Sequence, residues 1–113
     1  MSLDKVPRAR LQVVTYTGDG NASLSVATLR FQPTLIVIYP QLAGGTYMGW
    51  KVAADGAKTF VERSGSNNNL YEDDHIISID ANGFTVGDGT GGAGNFFNVL
   101  GRVYVALCHL GET

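Results

Sequence analysis

Turn-forming residues interrupt this chain so often that no helix of ordinary length fits between them. Gly18-Asp19-Gly20-Asn21, Pro33, Pro40, Gly56, the polar segment 64–69, Asp80-Ala81-Asn82-Gly83 and the glycine-rich stretch 87–94 break it into short apolar runs. An amphipathic helix needs a 3.6-residue period sustained over about ten residues or more, and no segment keeps one. The runs are instead rich in Val, Ile, Thr, Tyr and Phe, which pack well on a pleated surface.

Residues 10–17 (RLQVVTYT) read as a first strand ending in the Gly18 to Asn21 hairpin turn, where glycine supplies positive φ. A second strand starts at Ser23; Leu24 and Val26 alternate with Ser23 and Ser25. Leu29 and Phe31 then fall on the other parity, which predicts a bulge near Thr28 before Pro33 ends the strand. Segments 34–39 (TLIVIY) and 102–110 (RVYVALCHL) are apolar on both parities, as expected of central strands covered on both faces. Shorter strands are expected at 47–52, 59–63, 75–79 and 84–86. About eight short strands predict an all-β, antiparallel β-sandwich in one domain, 10–113, preceded by an N-terminal arm, 1–9. Val37, Ile77, Ile79, Phe84, Val103 and Val105 are the expected core.

With 44% apolar and 16% charged residues in a chain of 113, disorder is excluded and the sparse charge leaves room for contacts with other subunits. The net charge of -2 and scattered basic residues provide no phosphate-binding stripe, so nucleic acid is not an expected partner. The start of the chain has no apolar signal region and no run long enough to span a membrane, which predicts a soluble product without signal peptide or membrane insertion. Cys108 is the only cysteine, which rules out an intrachain disulfide and a multi-cysteine zinc site.

The stretch "VGDGTGGAGN" matches G-x-G-x-x-G from both Gly87 and Gly89. A dinucleotide fingerprint requires a helix after the glycines and an acidic residue about 20 positions on; only 19 residues remain after Gly94, too few for the helix and second strand of that unit, and the last acid is the terminal Glu112, so no cofactor is expected. The stretch reads as a mobile surface connection, in which alanine at Gly91 or Gly92 leaves the core intact. Phe96 and Phe97 directly after it are either core anchors or contacts for a ligand or another subunit. Glu72-Asp73-Asp74-His75 offers oxygen and imidazole ligands but fits no calcium-loop spacing, and reads as a solvated loop. Cys108 and His109, adjacent on a strand, point to opposite faces, and no catalytic constellation is legible, so an enzyme is not expected. Trp50, Tyr47 and Tyr71, with Asn67, Asn68, Asn69 and Asp73 nearby, offer a platform on which a sugar ring can stack, a reading that competes with burial in the core.

Tyr16-Thr17-Gly18-Asp19-Gly20-Asn21, then Leu29-Arg30-Phe31-Gln32-Pro33 leading into Leu35-Ile36-Val37-Ile38, resembles a pattern in small β-sandwich modules of tailed-bacteriophage virion proteins. Gly83-Phe84-Thr85-Val86-Gly87, and Asn98 and Gly101 before Tyr104, extend the resemblance over most of the chain. It implies a non-enzymatic structural or adhesion role in the tail or virion, made in the host cytoplasm, usually as a symmetric homo-oligomer such as a ring or trimer. Its implied partners are other virion proteins. A lectin-like module recognising a cell-surface glycan is the alternative.

Overall fold

The computed structural model describes residues 10–41, 47–63 and 69–111; the expected N-terminal arm, together with Asn67 and Asn68, lies outside them. The described residues form two antiparallel sheets packed as a β-sandwich, as the turn spacing predicts. The strands are β1 (Arg10–Thr17), β2 (Ser23–Val26), β3 (Leu35–Pro40), β4 (Tyr47–Val52), β5 (Lys58–Arg63), β6 (Leu70–Asp73), β7 (Ile76–Asp80), β8 (Gly83–Gly87) and β9 (Val103–Leu110). Six of them form one sheet in the order β1-β9-β3-β4-β5-β6, and three form the other in the order β2-β8-β7. The two strands apolar on both parities, β3 and β9, lie side by side in the interior of the larger sheet.

Cross-strand register fixes which residues share a face, because directly opposed residues point the same way. Tyr16 opposes Tyr104, which opposes Pro40; Val14 opposes Ala106, which opposes Ile38; Gln12 opposes Cys108, which opposes Ile36. These residues, with Gly49, Lys51, Thr59 and Val61 from β4 and β5, form the inner face of the large sheet. The smaller sheet contributes Val26, Ile76, Phe84 and Val86 to the same core. Thr59 Oγ1 donates to the Ile76 carbonyl at 3.1 Å and accepts from the Ile76 N–H at 2.8 Å, a direct bond between the sheets.

Three strands cover only part of a six-stranded face, and the connection between β8 and β9 fills the remainder. Its Phe97 is fully buried, edge-on to Tyr47 and Tyr104, and its ring lies where a side chain on Gly49 would be. Tyr16 donates its hydroxyl proton to the Phe97 carbonyl at 2.8 Å. Asn98, also fully buried, accepts from the Asp19 N–H and donates to Asp19 Oδ1 and the Asn21 carbonyl, each at 2.9 Å. The first hairpin turn and the last connection are thereby fastened to each other.

Several expected details change. Ile36, Ile38, Tyr104, Ala106 and Cys108 are the inward residues of β3 and β9; Val105 is buried as expected, at 8% exposure, but from the outer face, where the half-buried Val37 and Val103 also lie. Phe84 is a core residue and Ile79 packs against the core, while Ile77 is half-buried. β2 ends at Val26 with no bulge near Thr28, because the backbone leaves the strand and Leu29 is buried from a coil segment, its N–H donating to the Asn82 carbonyl. The bulge occurs in β7, between Ile76 and Ser78.

Candidate interaction surface

The outer face of the large sheet has no second layer among the described residues. One row crosses all six strands: Val13 opposes Leu107, Leu107 opposes Val37, Val37 opposes Trp50, Trp50 opposes Phe60, and Phe60 opposes Tyr71. Every member is apolar or aromatic. Parallel to it run Leu11, His109, Leu35 and Val52 on one side and Thr15, Val105 and Tyr39 on the other. Leu11 is 64% exposed, Val13 54%, Tyr71 51%, Val52 39% and Tyr39 38%, so the face is presented to solvent at its margins. Its charges flank the row on β5 and β6: Lys58 and Asp73, which pair at 3.5 Å, on one side, and the exposed Glu62, opposite Met48, on the other. Solvent-exposed faces of antiparallel sheets ordinarily alternate to polar residues, and contiguous apolar patches of several hundred Å² mark interaction sites.

Within this row Trp50 stacks on Phe60 with ring centroids 4.5 Å apart, and Tyr71 donates its hydroxyl proton to Asp55 Oδ1 at 2.9 Å. Tyr47 lies on the opposite, inner face, where Arg102 donates to its hydroxyl at 2.6 Å and Phe96 packs 5.0 Å away. The aromatic candidates from the sequence therefore divide. Trp50 and Tyr71 share the outer face, while Tyr47, Phe96 and Phe97 belong to the inner cluster, with Phe97 serving as a core anchor. Phe60 was not a candidate from the sequence, because only the β4–β5 register places it between Trp50 and Tyr71.

The glycine-rich connection is tied down by the acidic segment before β7. Glu72 Oε1 accepts from the Ala93 N–H at 2.7 Å and contacts His75 Nε2 at 2.7 Å. Asp74 Oδ2 accepts from the Gly91 N–H at 3.0 Å, and the carbonyls of Asp74 and His75 take the N–H groups of Gly89 and Gly87. His75 is fully buried and stacked on Phe96 at 5.0 Å. The expected mobile connection is thus an anchored one, with its amides directed at protein carboxylates and backbone carbonyls. Alanine is accommodated at Gly91, where the nearest atom lies 3.5 Å from an added Cβ, but not at Gly92, where Glu72 Oε1 would be 2.6 Å away and His75 Nε2 2.9 Å.

Burial pulls the Glu72 carboxyl upward, but the hydrogen bonds from His75 and the Ala93 N–H outweigh it and hold the group below its ordinary value. A carboxylate with a depressed folded pKa stabilises the fold above its unfolded value, and that contribution disappears as pH falls through the folded one. The clamp is therefore expected to be complete above about pH 4.3, the ordinary Glu value, and to weaken in more acid solution. Urea midpoints for wild type and Glu72→Gln should differ at pH 6 and converge as the pH approaches 3.

Other chemistry-bearing groups are committed to the fold. Burial pushes the Cys108 thiol up to about 11, so it is protonated near neutral pH and is a poor nucleophile. Lys51 is buried with its ammonium donating to the Lys58 carbonyl, and desolvation holds its pKa below that of a free lysine. Lys51 also lines a half-open cleft of about 660 Å³, together with Pro33, Ile77, Ile79 and Leu110. No cluster of three or more metal-ligating side chains occurs among the described residues, and no described helix is long and apolar enough to cross a membrane. The chain matches no family model, no curated protein and no solved structure.

Proposed function

We propose that this protein is a non-enzymatic structural or adhesion module of a phage virion, associated with the tail, which acts by presenting the outer face of its large sheet to other proteins. The observation that carries this reading is the continuous apolar row from Val13 to Tyr71 across all six strands. Exposing such a face is costly for a protein that works alone and useful for one that assembles. The virion assignment draws on the sequence resemblance, whose residues have defined places here. Gly18 to Asn21 form the turn held by Asn98, and Leu35 to Ile38 form a central strand.

Glycan recognition is the second reading, favoured by the exposed ring of Tyr71 beside Phe60 and Trp50 with Asp55 at its hydroxyl. An antibody against the chain, applied to particles purified from cells carrying the sequence, separates the two readings when combined with a glycan array. Labelled tails without glycan binding support the structural role. Binding to defined sugars that is lost in Tyr71→Ala supports the lectin role, and unlabelled particles contradict the virion assignment.

A further inference from the structure

We infer that the outer face of the large sheet is closed by a second copy of the same chain, face to face, about a two-fold axis running along the strands. The inference rests on the reading of this face as an interaction surface and names its occupant. Strands about 4.8 Å apart with about 3.4 Å per residue give six strands, five residues long, a face of roughly 500 Å². Two copies thus bury on the order of 1,000 Å², which is where specific protein interfaces begin.

The face is also self-complementary in shape. Along the central row its two halves differ, with aliphatic side chains on β1, β9 and β3 (Val13, Leu107, Val37) and aromatic ones on β4, β5 and β6 (Trp50, Phe60, Tyr71). An axis along the strands reverses the strand order while keeping each row at its level. Val13 then meets Tyr71 of the partner subunit, Leu107 meets its Phe60, and Val37 meets its Trp50, so tall rings lie over short side chains. An axis across the strands sets the rings of Trp50, Phe60 and Tyr71 against their own copies and leaves the aliphatic half unfilled. Packing along the strands also matches the aligned arrangement of stacked sheets, within about 30°, and it is isologous and closes at two copies. Lys58 and Asp73, already paired with each other, flank the apolar row on one side and Glu62 flanks it on the other.

Light scattering on the purified full chain across micromolar concentrations should give twice the 12.0 kDa of one chain. Val13→Lys, a change on a half-exposed residue of an edge strand, should weaken association at least tenfold with the circular dichroism spectrum unchanged. A Val13→Cys/Tyr71→Cys double variant should form a covalent dimer under mild oxidation, whereas each single variant does so poorly. A monomeric wild type, association indifferent to Val13→Lys, or efficient cross-linking by Val13→Cys alone would each overturn the arrangement. A dimer with unlabelled virions removes the virion reading and leaves this one; labelled virions with a monomeric chain do the reverse.

Discussion

Gly83→Ala is expected to cost at least about 3 kcal/mol, enough to consume much of the stability of a small domain. A Cβ at this position would lie 1.7 Å from the Val26 carbonyl oxygen and 2.8 Å from its carbon, so the obstacle is backbone that cannot rotate away. Gly83 begins β8, and β8 is the strand on which both β2 and β7 pair. Displacing it separates the small sheet and uncovers the core beneath. Urea denaturation measures the loss, and Gly91→Ala is the control, since its added methyl meets nothing closer than 3.5 Å. Equal midpoints for the two variants would remove the close approach of β2 and β8 from the explanation.

Phe97→Ala is expected to destabilise the fold by about 3–5 kcal/mol, the range for emptying a buried aromatic site. The ring lies against Gly49, edge-on to Tyr47, His75 and Tyr104, and no neighbour is placed to collapse into the space without breaking one of these contacts. The loss should appear as a lower denaturation midpoint with little change in strand content, because Phe97 lies in a connection and pairs with no strand. A decrease below 1 kcal/mol would mean that the small sheet alone closes the core.

The fold class was legible because short β-branched runs, turn residues and the absence of a helical period all require the same architecture. The central position of β3 and β9 was legible from their apolar residues on both parities. Those same residues hid which parity faces inward, since alternation carries no information when both faces are apolar. Val37 was therefore expected in the sandwich core, where Ile36, Ile38 and Tyr104 lie, and Val105, though buried, faces the opposite way from Tyr104. β6 escaped because Glu72-Asp73-Asp74-His75 reads as a solvated loop. Its inward Glu72 is used to hold the Ala93 N–H and His75, contacts that no local pattern announces. The role of Phe97 depends on a loop folding over an uncovered part of a sheet, and loop side chains have no period to reveal burial. The interaction surface itself was present in the sequence only as an excess of apolar residues; the cross-strand register turned that excess into a single row.

Trp50 is the only tryptophan of the chain and lies near the middle of that row, so its emission reports directly on whether the outer face is covered. Diluting the full-length protein from tens of micromolar into the nanomolar range, with mass followed by light scattering over the upper part, should shift the Trp50 emission to longer wavelength as copies separate and water reaches the ring. Val13→Lys should show the shifted spectrum at every concentration. A Trp50 spectrum that stays constant while the mass falls from two chains to one would contradict the assignment of this face as the contact surface.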